Sequence, residues 1–197
     1  MHTSRFRALK LSHKNKNMIL PIYTYGNTVL RKEAEDISPD YPELNTLIDN
    51  MFETMYNAEG VGLASPQIGL PIRLFVIHVK ADEENPESTD FKVVMINPEI
   101  LEMSDEAKTA EEGCLSVPGI HENVSRAVKI KISYLDTDFN EHIKEFEGFH
   151  ARVIQHEYDH LEGKFFTDKI NPLRRQLLKS KLSNIAKGKA SVKYRIK

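Results

Sequence analysis

The chain has 197 residues and a mass of 22.6 kDa, the size of one compact domain. Its 40% hydrophobic and 28% charged residues exclude a disordered or fibrous chain, its longest apolar runs fall far short of the ~18 residues needed to span a bilayer, and a single cysteine excludes an internal disulfide and argues against secretion. The net charge of −2 conceals an uneven distribution: residues 1–17 hold five Lys/Arg and residues 169–197 hold ten, both without an acid, while 18–168 carry 12 basic against 29 acidic side chains.

Residues 1–17 are expected to form a disordered basic leader. They lack the apolar stretch of a secretory signal, and only their acid-free composition resembles an organellar transit segment. The protein is therefore expected in the cytoplasm, or in an organelle if the leader is such a segment. The globular pattern starts at Met18 and is expected to run to residue 187. From 43 to 58, Leu44, Leu47, Ile48, Met51, Phe52 and Met55 recur at helical spacing. Gly60-Val61-Gly62 follows with the backbone freedom for a tight loop. Residues 72–79 read as a strand, 81–90 as a polar loop, and 91–96 and 98–103 as strands separated at Pro98 by a break or bulge. Residues 127–135 alternate, with Val128, Ile130, Ile132 and Tyr134 on one side, and turn at 136–140 into a return strand over 141–147. A helix is expected from Gly148 to Leu161 with Gly163 just beyond its end. A last helix is expected over 172–187, with Pro172 in its first turn and Leu173, Leu177, Leu178, Leu182 and Ile185 as its apolar stripe. Residues 188–197 read as a basic tail. Helix, mixed β, helix, helix defines an α+β class, and its basic ends suggest an anionic partner such as nucleic acid or a membrane surface.

The helix over 148–161 carries His156-Glu157-Tyr158-Asp159-His160. Four residues turn a helix by about 400°, so the two imidazoles lie about 40° apart and about 6 Å along one face. Such a pair binds a divalent metal, with Glu157 beside it within reach of the water that a catalytic site retains. A catalytic site needs a third protein ligand. Position 166 is Phe, where one common extension of this motif places a third His, and nothing after Asp168 is acidic. The third ligand must come from upstream. Cys114 is the sole thiol and lies in Glu111-Glu112-Gly113-Cys114-Leu115-Ser116, a small-residue loop unlike a core segment. A His₂Cys site is the economical solution. Asp159 is a candidate for orienting an imidazole, and Gln67 by itself reads as a loop amide.

Gly60-Val61-Gly62-Leu63-Ala64-Ser65-Pro66-Gln67, Glu112-Gly113-Cys114-Leu115-Ser116 and Gln155-His156-Glu157-Tyr158-Asp159-His160 together resemble the three motifs of the peptide deformylases. The resemblance extends over about residues 18–187 and is of the bacterial type with a helical C-terminus. It departs at Ser65, where Ala is usual, and at Arg152, where many members carry an apolar residue. It implies one α+β domain with mixed, mostly antiparallel sheets around a central HExxH helix. It also implies removal of the formyl group from the formyl-methionine of nascent polypeptides, with release of formate. Cys114, His156 and His160 would hold one divalent metal, Fe²⁺ by the resemblance, while Zn²⁺ suits the same ligands. Glu157 would serve as base and acid, with Gln67 and the Leu115 N–H holding the oxyanion. Gly62 would let the substrate backbone approach, and Val61 and Phe149 would line the methionine pocket. Family behaviour and the basic last helix together imply docking on the ribosome, and no membrane partner is expected. Three rival readings stand beside it: a metallopeptidase cutting internal bonds with the same site, a non-enzymatic metal- or RNA-binding module built on the basic ends, and Cys114 as a covalent nucleophile paired with His.

Overall fold

The computed structural model describes residues 18–81 and 90–197. The leader 1–17 and all but the ends of the polar loop 81–90 lie outside these residues. Helix α1 (Leu44–Asn57) buries Leu44, Ile48, Met51, Phe52 and Met55, the face that the spacing predicts. It ends with Glu59 in the left-handed region at φ 57 and with Gly60 N–H bonded to the Met55 carbonyl at 2.9 Å, a Schellman closure. The left-handed residue of this turn is Glu59 and not one of the glycines of the expected tight loop. It aims the chain into β1 (Gly62–Ala64), from which a 3₁₀ turn (Ser65–Ile68) leads to β2 (Leu74–Val79).

Strand β2 reads as a continuous apolar run because both of its faces are buried. Leu74 and Val76 pack towards α1, and Phe75 and Ile77 pack towards the later HExxH helix. Next comes β3 (Phe91–Met103), one strand where the sequence predicts two. Its register shifts between Ile96 and Glu99, and Asn97 takes φ 48 while its side-chain amide bonds both polar groups of the Ile37 backbone. The bulge at Asn97-Pro98 absorbs the missing proline N–H without ending the strand. Strands β4 (Ala107–Glu112) and β5 (Glu122–Ala127) form a two-stranded hairpin that the sequence did not reveal. Strands β6 (Lys129–Leu135) and β7 (Glu141–Glu147) follow, so the strand expected over 127–135 is divided between the end of β5 and β6. The larger sheet has the order β1-β2-β3-β6-β7, antiparallel throughout, with β1 at one edge.

Helix α2 (Gly148–Leu161) matches the prediction and buries Ala151, Val153, Ile154 and Leu161 against the sheet. Fully burying a side chain the size of Val153, Ile154 or Leu161 contributes about 1.5–3 kcal/mol. It closes with Gly163 at φ 64, where a side chain would press within 2.7 Å of the Arg31 carbonyl. Helix α3 (Pro172–Ala186) is capped by Asn171, whose side chain accepts from Leu173 N–H. Only Leu178, Leu182 and Ile185 of its predicted stripe are buried, while Leu173 and Leu177 are 71% and 66% exposed. Residues 188–197, expected as a basic tail, return to the body, where Ile196 forms a parallel bridge with Ile22. None of the described helices is long and apolar enough to cross a membrane.

Candidate active site

Three distant segments meet at one point. Helix α2 presents His156 and His160 on one face, with ring centroids 5.1 Å apart and planes at 78°. The connection between β4 and β5 brings Cys114 against them, with its Sγ 3.2 Å from His160 Nε2. One ligand atom from each of the three residues lies within 4.8 Å of the other two. A sulfur and two ring nitrogens so gathered, on separate elements, form the convergence that a His₂Cys metal site requires.

The surrounding electrostatics fit a cation. His156 Nδ1–H donates to Glu112 Oε2 at 3.0 Å, which fixes the ring and leaves Nε2 for a metal. Burial opposes a charge on His156, yet Cys114 and Glu112 push its pKa up to about 10, so this corner of the site is built for positive charge. His160 is held well below the usual histidine range by burial and by His156, Arg126 and Arg31, so its lone pair is available. Its Nδ1 and the Glu157 Oε2 are buried polar atoms with no hydrogen-bond partner among the described residues. Burial pushes Glu157 up to about 7, against the opposing pull of His156 and Arg126.

Glu112 precedes Gly113-Cys114, and its residue type alone assigns it no role in the site. Beside His156 it accepts Arg126 Nε at 2.6 Å and Nη2 at 2.8 Å, and Arg152 Nη1 at 2.6 Å. Burial would raise its pKa, but His156 and Arg126 hold it at about 2. The candidate for orienting an imidazole was Asp159, and the structure corrects this. Asp159 turns to Arg126 Nη1 at 2.8 Å and Lys169 Nζ at 3.2 Å, supporting the network one step further back. Arg152 does not project into the cleft as a free charge. Its guanidinium is buried on Glu112, the Val124 carbonyl and the Lys108 carbonyl, tying α2 to the β4–β5 hairpin.

Gln67 is 2% exposed, contrary to a loop amide in water. Its Oε1 accepts from Ala64 N–H at 2.8 Å, so the Nε2 donors aim at Ser116 Oγ, 3.2 Å away, and Cys114 Sγ, 3.6 Å away. Ser65 donates to the Ile72 carbonyl at 2.5 Å and fastens the turn that carries Gln67, so its role is packing. Gly62 has a tighter constraint than substrate approach alone: a Cβ there would lie 2.9 Å from Glu157 Cγ and closer still to its carboxylate. The Val61 carbonyl accepts from His78 N–H, so by strand alternation the N–H and C=O of Gly62 point off the sheet edge. A cleft of about 430 Å³ opens there, lined by Val61, Gly62, Gln67, Leu115, Phe149 and Glu157 among others. Of the nine residues singled out from the sequence for the site, all but His160 border this cleft. The residues that sequence reasoning missed are Glu112, Arg126 and Tyr194. The doubled acid before Gly113 was the available signal for the first.

The polypeptide deformylase family profile matches residues 19–176. A peptide deformylase from Christiangramia forsetii is 50% identical over 188 residues, covering 91% of this chain and 96% of its own. Among solved structures, a peptide deformylase from Legionella pneumophila superposes with a TM-score of 0.75 at 40% identity, covering 86% of this chain and 96% of that one. A Met-Ala-Ser-bound class I type b peptide deformylase from Acinetobacter baumannii gives 0.74 at 37% identity, covering 79% and 100%.

Proposed function

The chain belongs to the polypeptide deformylase family, metal-dependent hydrolases that remove the N-terminal formyl group from nascent polypeptides, and from that premise we propose how its own residues divide the work. Cys114, His156 and His160 hold the metal, Fe²⁺ in the native enzyme, with Zn²⁺ accepted by the same donors. When bound, a divalent cation supplies Lewis-acid activation of water at neutral pH. Glu157, dry and with Oε2 uncommitted, takes the proton of the attacking water and returns it to the leaving amine. The Gln67 amide, aimed by Ala64, and the Leu115 N–H receive the negative charge on the former formyl oxygen. Each such donor is worth about 3–4 kcal/mol of transition-state stabilisation. Val61 and Phe149, 43% and 38% exposed, offer apolar surface to the methionine side chain. The outward N–H and C=O of Gly62 let the peptide extend beside β1 as an added strand.

The observation that carries this reading is the meeting of three ligand atoms beside a buried, unpartnered carboxylate oxygen at the open edge of a sheet. It is tested with formyl-Met-Ala as substrate. Glu157→Ala retains the metal and loses turnover by at least about 10³-fold, whereas Cys114→Ala loses the metal. Near-normal deformylation by Glu157→Ala refutes the assignment of the base. Metal content after anaerobic purification tests the choice of Fe²⁺.

The reading extends to place and partner. The enzyme acts in the cytoplasm, docked on the ribosome through α3. Arg174 and Arg175 of that helix are engaged by Glu122 and Asp168, so the charge available to RNA is that of Lys179, Lys181, Lys187 and Lys189. Ribosome cosedimentation should weaken steeply with salt and with replacement of these lysines by Ala. Binding indifferent to both removes the docking proposal.

A further inference from the structure

The ten residues after α3 are more than a basic extension. Over 191–197 the sequence Ser-Val-Lys-Tyr-Arg-Ile-Lys alternates, with Val192, Tyr194 and Ile196 half-buried and Ser191, Lys193, Arg195 and Lys197 exposed. That is strand-like patterning, and the backbone follows it. Ile22 N–H donates to the Arg195 carbonyl at 2.9 Å, Lys197 N–H to the Ile22 carbonyl at 2.8 Å, and Thr24 N–H to the Lys197 carbonyl at 3.1 Å. The segment is thereby fixed at its far end, and Lys189 N–H bonded to the Asn184 carbonyl fixes its near end to α3. Between these anchors Val192 and Tyr194 reach the cleft and form part of its wall.

Tyr194 does more than line that wall. Its hydroxyl donates to the Leu115 carbonyl at 2.7 Å, and its ring packs into the same cluster as Leu115. On the other side Leu115 faces Gly60, where a Cβ would lie 2.8 Å from Leu115 Cδ1. Leu115 is thus gripped between the start of β1 and the chain's last segment, next to the metal-binding Cys114. Burial and the Cys114 sulfur push the Tyr194 phenol up to about 12, so its hydroxyl remains a donor throughout the neutral range.

We infer that Val192 and Tyr194 of the last segment are working parts of the active site, in which Tyr194 positions Leu115 through its carbonyl and Val192 forms the wall met by the peptide residues that follow methionine. Tyr194 is a positioning residue, since it acts on the reacting atoms only through Leu115. The inference rests on the assignment of the Leu115 N–H as an oxyanion donor. It also makes the segment after the family-matched residues 19–176 a determinant of peptide preference.

The test uses the full, metal-loaded chain with formyl-Met-Ala and formyl-Met-Ala-Ser. Tyr194→Phe removes only the hydroxyl and is expected to lower kcat by about 3- to 10-fold on both substrates with KM little changed. Val192→Ala is expected to raise KM, and more for the tripeptide than for the dipeptide. Lys193→Ala, whose side chain faces solvent, serves as the control and should match the parent protein. Thermal unfolding of each variant separates misfolding from mispositioning. The inference is overturned if Tyr194→Phe keeps full kcat, or if kcat falls only in proportion to folded protein. It is equally overturned if Val192→Ala shifts both KM values alike. Activity of the unaltered chain on both peptides, abolished by Glu157→Ala, shows that such a failure concerns this segment and not the deformylase chemistry.

Discussion

Replacing Glu112 with Ala should injure the protein twice, and the two injuries can be measured apart. The carboxylate accepts four hydrogen bonds, from Arg126 Nε and Nη2, Arg152 Nη1 and His156 Nδ1. Its loss leaves two guanidinium groups, 4% and 8% exposed as residues, short of their counter-charge, although Arg126 keeps Asp159. Removing one partner of a buried ion pair costs about 3–5 kcal/mol. For a chain of this size that lowers Tm by about 6–20 °C. The second injury falls on the cation. Without the acceptor at Nδ1 the His156 ring is free to turn, and loss of such a partner commonly weakens metal affinity about 10- to 100-fold. Stabilisation by bound metal then shrinks by about 1.4–2.7 kcal/mol at fixed cation concentration. Calorimetry of chelator-stripped protein measures the first effect, and the increment on adding Zn²⁺ measures the second. A Glu112→Ala protein that melts within about 2 °C of the parent and gains the full increment refutes the claim that this carboxylate organises the centre.

Three further substitutions probe separate links. Gly62→Ala places a Cβ 2.9 Å from Glu157 Cγ, forcing the carboxylate or β1 aside, and a displacement of about 1 Å costs about 10²-fold in kcat/KM with metal content unchanged. Activity at the parental level would show that the carboxylate tolerates displacement. Gly163→Ala adds a side chain at φ 64 against the Arg31 carbonyl and should destabilise by more than about 1 kcal/mol, read by denaturant midpoint. Asp168 is buried in part, which opposes its charge, but Arg31 at 2.5 Å, Phe165 N–H and Arg175 hold its pKa below the usual carboxylate value of 3.8. Its contribution is therefore complete above that value and lost as pH falls through the folded one. Asp168→Asn should be less stable by about 1 kcal/mol at neutral pH after screening, with the gap closing in acid. A gap independent of pH would assign the loss to packing.

What could be seen in the sequence and what could not divide along physical lines. Helix α2 was legible from end to end because a glycine at each end and the His156/His160 pair specify the same segment. The β4–β5 hairpin was not legible, because its inward positions hold Glu112, Glu122 and Arg126 where alternation rules expect hydrophobes. Those charges are buried against one another and against Arg174, an arrangement visible only once the chain is folded. In the first turns of α3, Arg174 and Arg175 pair with Glu122 and Asp168, and Leu173 and Leu177 face outward although their spacing suits a buried stripe. At the site, the three ligands could be argued from residue types, since few side chains complete a His pair. The grip of Tyr194 on Leu115 could not, because 79 residues separate them and a basic composition hid the alternation of 191–197.

Two carboxylates border the same imidazole pair, and their surroundings drive them to opposite extremes. Glu112 receives four hydrogen bonds from the hairpin and α2 and is held at about 2, so it remains an anion. Glu157 sits on the neighbouring position of the helix that carries His156, equally dry, with one oxygen given nothing, and is pushed up to about 7. Pairs of acids driven apart in this way take separate roles. The permanent anion balances Arg126 and Arg152 and steadies a ligand, and the uncommitted one is available to move a proton. Sequence explains the division. Glu112 ends a strand whose partner contributes Arg126, while Glu157 faces Gly62, a residue with no side chain to donate a bond or to crowd the space. A donor introduced at position 62 would do more than block the cleft. It would give Glu157 a partner, draw it towards the condition of Glu112, and remove the one property that suits it to act as a base.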